Sequence, residues 1–95
     1  MVEGTTKSGF KFKVSKRVRN DWRFVQALAD SESKDESEQL RGTVNIVRIL
    51  FKDQADALYE HLQEEDGVVP TDRIMEETRE VLEALQEKNS SSSPA

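Results

Sequence analysis

The residues able to do chemistry in this chain are few. There is one histidine, His61, and no cysteine, against 19 acidic residues. His61 stands beside Glu60, Glu64 and Glu65, and the chemistry such a set could serve is metal binding. A lone imidazole without thiolates rarely completes a zinc site, so the expected role of His61 is that of a surface histidine on an acidic helix. The run "EEDG" at 64–67 lacks the alternating oxygen ligands of a calcium loop, and no glycine-rich phosphate loop occurs. The absence of cysteine removes disulfides, thiolate metal sites and cysteine nucleophiles. The acids from 76 to 87 read as a solvated helix face rather than a carboxylate pair. No catalytic residue, metal or cofactor is expected, and an enzyme is not the expected class.

What remains is a binding protein, and its elements must be found. The 95 residues suffice for one small domain. Hydrophobic and charged residues each make up 35%, so a thin core is expected, or one completed by self-association. The net charge of −5 is unevenly spread: Lys7 to Arg19 holds six basic residues and no acid, whereas Asp53 to Glu87 holds twelve acids against Arg73 and Arg79. The two regions read as solvated faces, or as halves that attract one another within or between chains. Nucleic-acid binding is not expected, because the acidic half repels phosphates. No apolar run is long enough to span a bilayer, and the first residues lack the apolar stretch of a signal peptide.

Residues 1–8 are unpatterned and expected to be disordered. "GFKFKVS" alternates strictly and predicts a short N-terminal β-strand with Phe10, Phe12 and Val14 on one face. Lacking a second strand in view, that face is expected to serve self-association. "NDWRFVQALAD" predicts a helix capped by Asn20 or Asp21, with Trp22, Val25, Leu28 and Ala29 as its apolar stripe and Phe24 off it. Trp22 is expected in the core, its rival role being an interface anchor. "SESKDESEQ" reads as a polar loop running into a helix start. In "LRGTVNIVRILF", Leu40, Val44, Val47, Leu50 and Phe51 have helical spacing. A strand at 43–51 is the alternative, given the β-branched run, and would partner residues 9–14.

A helix over 53–66 is predicted to start at Asp53 and end at Gly67. A last helix over 71–88 starts at Pro70 or Thr71, with Val68 and Val69 stapling its entry. The fold expected is thus mainly α: a single small helical domain over 9–88 with about four helices, that short strand, and a disordered serine-rich tail over 89–95.

The order of these elements resembles the tail assembly chaperones of long-tailed bacteriophages and prophages of Gram-positive hosts. The matching stretches, between about residues 10 and 90, are "FKFKV", the "DW" opening a helix, "LYEHLQEEDGVVP" and "IMEETREVLEALQEKNS". The resemblance implies a helical, self-associating late protein that works in the host cytoplasm and is absent from the mature virion. It implies a partner, the tape measure protein, which such chaperones coat and keep soluble while tail tube subunits assemble. It also implies a longer product, made by a −1 ribosomal frameshift, through which the tail tube protein is recruited. The contact surface is expected on the last two helices, through Tyr59, Leu62, Val69, Ile74, Met75 and Leu82. Two other classes stay open: a small helical regulator of a protein or DNA partner, and a head–tail connector of the virion.

The ending bears on the frameshift. "EKN" at 87–89 can be encoded GAA AAA AAC, which contains the slippery run A AAA AAC. On that reading Ser90 to Ala95 are what unshifted ribosomes add, and they need only be soluble.

Overall fold

A computed structural model describes residues 1–90, and the side chains of 87–90 are left aside. The alternation at 10–14 makes a strand, but it does not stand alone. Strand β1 (Val2–Thr5) pairs antiparallel with β2 (Lys11–Val14), in register from Val2 opposite Val14 to Thr5 opposite Lys11. Residues 1–8, expected to be disordered, therefore form β1 and most of a hairpin turn. The turn closes through Gly9 N–H donating to the Thr6 carbonyl at 2.9 Å and Thr6 N–H donating to the Phe10 carbonyl at 2.9 Å. Gly9 has φ of 95°, which is the glycine position of a three-residue hairpin loop with a bulge.

The hairpin's inward face is buried: Val2, Phe10, Phe12 and Val14 all belong to the core. Phe10 meets Phe51 edge to face, with ring centroids 6.1 Å apart. The expected self-association surface of Phe10, Phe12 and Val14 is thus used inside the chain. The outer edge of β2 is also covered at one point. The Lys13 N–H donates to Gln54 Oε1 at 2.9 Å, and Gln54 Nε2 donates to the Lys13 carbonyl. One amide side chain thereby replaces a third strand there.

A 3-10 turn (Val18–Asn20) leads to helix α1 (Trp22–Ser31), capped by Asp21, whose carboxylate accepts from Arg23 N–H. Helix α2 (Glu36–Phe51) starts earlier than its apolar stripe, because Asp35 accepts from the Ser37 and Glu38 amides. Residues 43–51 are helical; helix wins because Ile46, Val47, Leu50 and Phe51 then share a buried face. Gly42 lets α1 approach closely, since a Cβ there would lie 2.3 Å from Ser31 N and 2.6 Å from the Ala27 carbonyl oxygen.

That approach decides which face of α1 is buried. Phe24 and Ala27 point into the core, and the stripe expected there is turned out: Trp22 is 72% exposed, with Val25, Leu28 and Ala29 exposed too. A small Ala27 fits over Gly42, whereas a Trp22–Val25–Ala29 face would hold the helices apart.

Helix α2 ends at Lys52, whose φ is 51°, and a 3-10 turn (Lys52–Gln54) leads into α3 (Ala55–Leu62). The helix expected over 53–66 is therefore shorter at both ends. Asp53 lies in the turn instead of capping, and Gln54 precedes α3 with its side chain committed to Lys13. Gln63 is extended, and Gly67, with φ of 87°, serves a turn in which its N–H donates to the Glu64 carbonyl. Helix α4 (Thr71–Ser90) follows, its first bond donated by Ile74 N–H to the Pro70 carbonyl at 3.2 Å. Pro70 is thus the residue before the helix. Val81 and Leu85 anchor α4 in the core. The helix continues two residues beyond the expected 88, and the tail expected over 89–95 otherwise lies outside the described residues.

Candidate functional site

The apolar stripe of α2 is longer than the helices that cover it. Towards the end of α2, Val47, Leu50 and Phe51 are buried; one to two turns earlier, Val44 and Leu40 are 47% and 62% exposed. Across from them α4 presents Thr71, Ile74 and Met75, with Met75 49% exposed. Tyr59 of α3 and Val69 of the preceding loop close one end. Together these side chains line an apolar groove of about 330 Å³. It continues past Thr43, Val47 and Met75 into a second lobe of about 240 Å³, reaching Leu82 and Ser31. From Thr71 to Leu82 the groove follows α4 for about 16 Å, or three helical turns.

Of the residues expected at a contact surface, Tyr59, Val69, Ile74 and Met75 meet in the first lobe and Leu82 lies in the second. Leu62 does not join them, being 5% exposed in the core. Sequence reasoning missed Leu40, Thr43 and Val44. Leu40 and Val44 share the helical spacing of Val47, Leu50 and Phe51, and the available signal is that this stripe runs past the reach of α3. Arg79, at the second lobe, forms an exposed i,i+4 pair with Glu83 at 3.3 Å, which is worth little on its own.

A second cluster joins the hairpin turn to α3 and α4. Glu77, buried, accepts from Thr6 Oγ1 at 2.7 Å and Ser8 Oγ at 3.0 Å. Glu80 accepts from Lys7 N–H at 2.8 Å. His61 Nε2 lies 3.0 Å from the Ser8 carbonyl oxygen and 3.1 Å from Ser8 Oγ. A carbonyl only accepts, so Nε2 carries the proton and donates. That nitrogen cannot draw a proton from Ser8, whose hydroxyl hydrogen goes to Glu77; nucleophile activation of the serine–histidine kind is not built here. The arrangement ties down a turn. His61 is also 5.6 Å from Phe10, ring to ring. Among the described residues no group of three or more His, Cys, Asp or Glu is placed to hold a metal ion.

The basic and acidic regions read as solvated faces or as halves that attract one another, and among the described residues no ion pair joins them. Within the described residues the ion pairs closer than 4 Å are Arg23–Asp21 and Arg79–Glu83. The halves meet through hydroxyls and a backbone amide on carboxylates instead. At the α1 cap, hydrogen bonding to the Arg23 guanidinium, and next to its backbone N–H, holds the Asp21 carboxyl below the usual carboxylate range. The same carboxylate raises Arg23.

A scan against protein-family models, a search of curated proteins and a search of solved structures each find no match to this chain. Among the described residues no helix is long and apolar enough to cross a membrane.

Proposed function

We propose that this chain is a phage tail assembly chaperone that receives an apolar helical segment of the tape measure protein in the groove between α2, α3 and α4. The observation that carries the reading is the groove itself: about 330 Å³, lined by Leu40, Val44, Tyr59, Val69, Ile74 and Met75, on a chain of net charge −5. An amphipathic helix lays its apolar face into such a groove through residues spaced i, i+3/4 and i+7, and three turns supply that spacing. Weak binding by each copy accumulates when many copies coat one long chain. The acidic exterior keeps the coated chain soluble. On this reading the protein acts in the host cytoplasm and leaves before the virion is complete. A −1 frameshift product extended beyond Asn89 recruits the tail tube protein.

Co-expression with a tape measure protein from the same genome tests the reading. Val44→Asp and Met75→Asp are the informative variants, because both positions are exposed. Each should keep its fold and lose the ability to hold the tape measure protein in solution. Undiminished co-purification of the double variant refutes the groove as the site.

A further inference from the structure

The hairpin has two outer edges, and they differ. Thr6 N–H donates to the Phe10 carbonyl, so Thr6 and Phe10 form a hydrogen-bonded pair, and bonded and non-bonded pairs alternate from there. Gly4 with Phe12 and Val2 with Val14 are therefore bonded pairs, and the N–H and C=O of Glu3, Thr5, Lys11 and Lys13 point away from the partner strand. The bonds from Gln54 to both main-chain groups of Lys13 agree with this phase and cover that edge. On β1 nothing comparable occurs. The sheet has two strands, and among the described residues no group bonds to the outward N–H or C=O of Glu3 or Thr5. Both residues are exposed. β1 also lacks the lysine, proline or bulge that commonly blunts an edge.

The side chains along this edge suit one occupant in one register. When β1 of a second copy lies antiparallel with Gly4 opposite Gly4, Glu3 falls opposite Thr5 in both directions, and these are the residues whose main-chain groups face outward. Each Thr5 hydroxyl can then donate to the Glu3 carboxylate across from it. Within each hairpin Glu3 stands opposite Lys13 and Thr5 opposite Lys11. A row thus reads Lys13 and Glu3 of one copy, then Thr5 and Lys11 of the other, with no like charges opposed. The neighbouring registers fail. A shift one way sets Glu3 against Glu3. A shift the other way sets Glu3 against Lys7, whose N–H is already given to Glu80. The central position carries no side chain to crowd the axis. The Phe12 ring of the same hairpin lies over Gly4, where a Cβ would come within 2.8 Å of it. A foreign strand finds the same main-chain groups, but a copy also meets the self-complementary pattern.

We propose that the outer edge of β1 pairs with β1 of a second copy about a two-fold axis at Gly4, making one four-stranded sheet across a symmetric dimer. The contact is isologous and closes at two copies. Its main-chain bonds come from Glu3 and Thr5 alone, so the dimer is a weak one that forms at high local concentration. It uses no residue of the groove and does not depend on the function proposed for that groove.

The full-length protein is followed by sedimentation equilibrium up to about 1 mM, where a weak contact is populated, in about 150 mM salt. A dimer is expected. Hydrogen exchange at the Glu3 and Thr5 amides should slow as concentration rises, while exchange at Gly4 changes far less. The Gly4 Hα protons of an isotope-labelled copy should show a nuclear Overhauser effect to those of an unlabelled one, because a non-hydrogen-bonded antiparallel pair brings them together. Thr5→Pro removes an outward N–H and leaves the ladder within the hairpin intact. It should keep the fold by circular dichroism and dimerise at least about tenfold more weakly. Thr5→Lys should dimerise about threefold more tightly, although it sets two lysines opposite one another within the hairpin and lowers the melting temperature. A purely structural role for Thr5 would not give that divergence. A monomer at about 1 mM overturns the proposal. So does Thr5→Pro dimerising like the parent, and so does a dimer whose contacts join the exposed Trp22 and Val25 of α1 instead of Gly4.

Discussion

Replacing Gly42 by alanine should cost this protein about 2–3 kcal/mol, although alanine is the better helix former. The intrinsic change favours alanine by about 1 kcal/mol. Against it stands the added Cβ, 2.3 Å from Ser31 N, 2.6 Å from the Ala27 oxygen and 2.7 Å from the Asp30 carbonyl carbon. These are backbone atoms of α1 and cannot rotate aside. Ordinary contact requires the end of α1 to withdraw by about 1 Å, and a gap of that size forfeits up to about half of each dispersion contact across it. Overpacking of this kind costs about 1–3 kcal/mol, and the rigid neighbour places Gly42 at the upper end. Loosened packing of Phe24, worth about 1.5–3 kcal/mol when fully buried, adds roughly 1 more. The net loss should lower the melting temperature by about 8–24 °C, read by circular dichroism, and lower the urea midpoint at constant slope. A variant as stable as the parent, or more so, would refute the contact between α1 and α2 that explains why Trp22 faces outward.

Leu62→Asp should unfold the chain or cost at least about 3 kcal/mol, whereas Met75→Asp should stay within about 0.5 kcal/mol of the parent in the same urea titration. Glu77→Ala leaves Thr6 and Ser8 without their acceptor and should cost about 1–3 kcal/mol, with faster hydrogen exchange at the Thr6 and Gly9 amides and little change in α1. Asp21 has its carboxyl lowered from the ordinary 3.8 in the folded state, so its support is present above that value and is lost as pH falls through the folded one. Asp21→Asn should therefore remove part of the loss of stability below about pH 4, seen as a shallower acid limb of melting temperature against pH.

The regular parts of this fold were legible because period alone specifies them. The alternation of Phe10, Phe12 and Val14 gave β2, and the spacing of Ile74, Val81 and Leu85 gave α4. β1 was not legible, since Val2 is its one large apolar residue and four residues show no period. The glycine of "TKSG" was the available hint of a hairpin. The buried face of α1 was misread for a different reason. Its ten residues carry apolar side chains all round, and a helical wheel cannot tell that a glycine eleven residues after Ser31 selects the small Ala27 over the large Trp22. The candidate groove was half legible: Tyr59, Val69, Ile74 and Met75 stood out, but nothing in the spacing of Leu40, Val44, Val47, Leu50 and Phe51 tells which of them α3 covers. Leu62 fell on the other side of α3, because an eight-residue helix between two layers has little face to spare.

The carboxylate of Glu77 also sets an order of events. It lies 71 residues from Thr6, its first partner. At translation rates of about 5–20 residues per second, some 4–14 s separate the synthesis of the two. Through that interval the hairpin turn has no acceptor for its hydroxyls. Phe10 waits for Phe51, and the turn waits longest, for α4. Any product ending before residue 77 would expose these groups for its whole lifetime, and quality-control proteases act on such surfaces. The link between the hairpin turn and α4 thus makes stability a report that synthesis has passed residue 77.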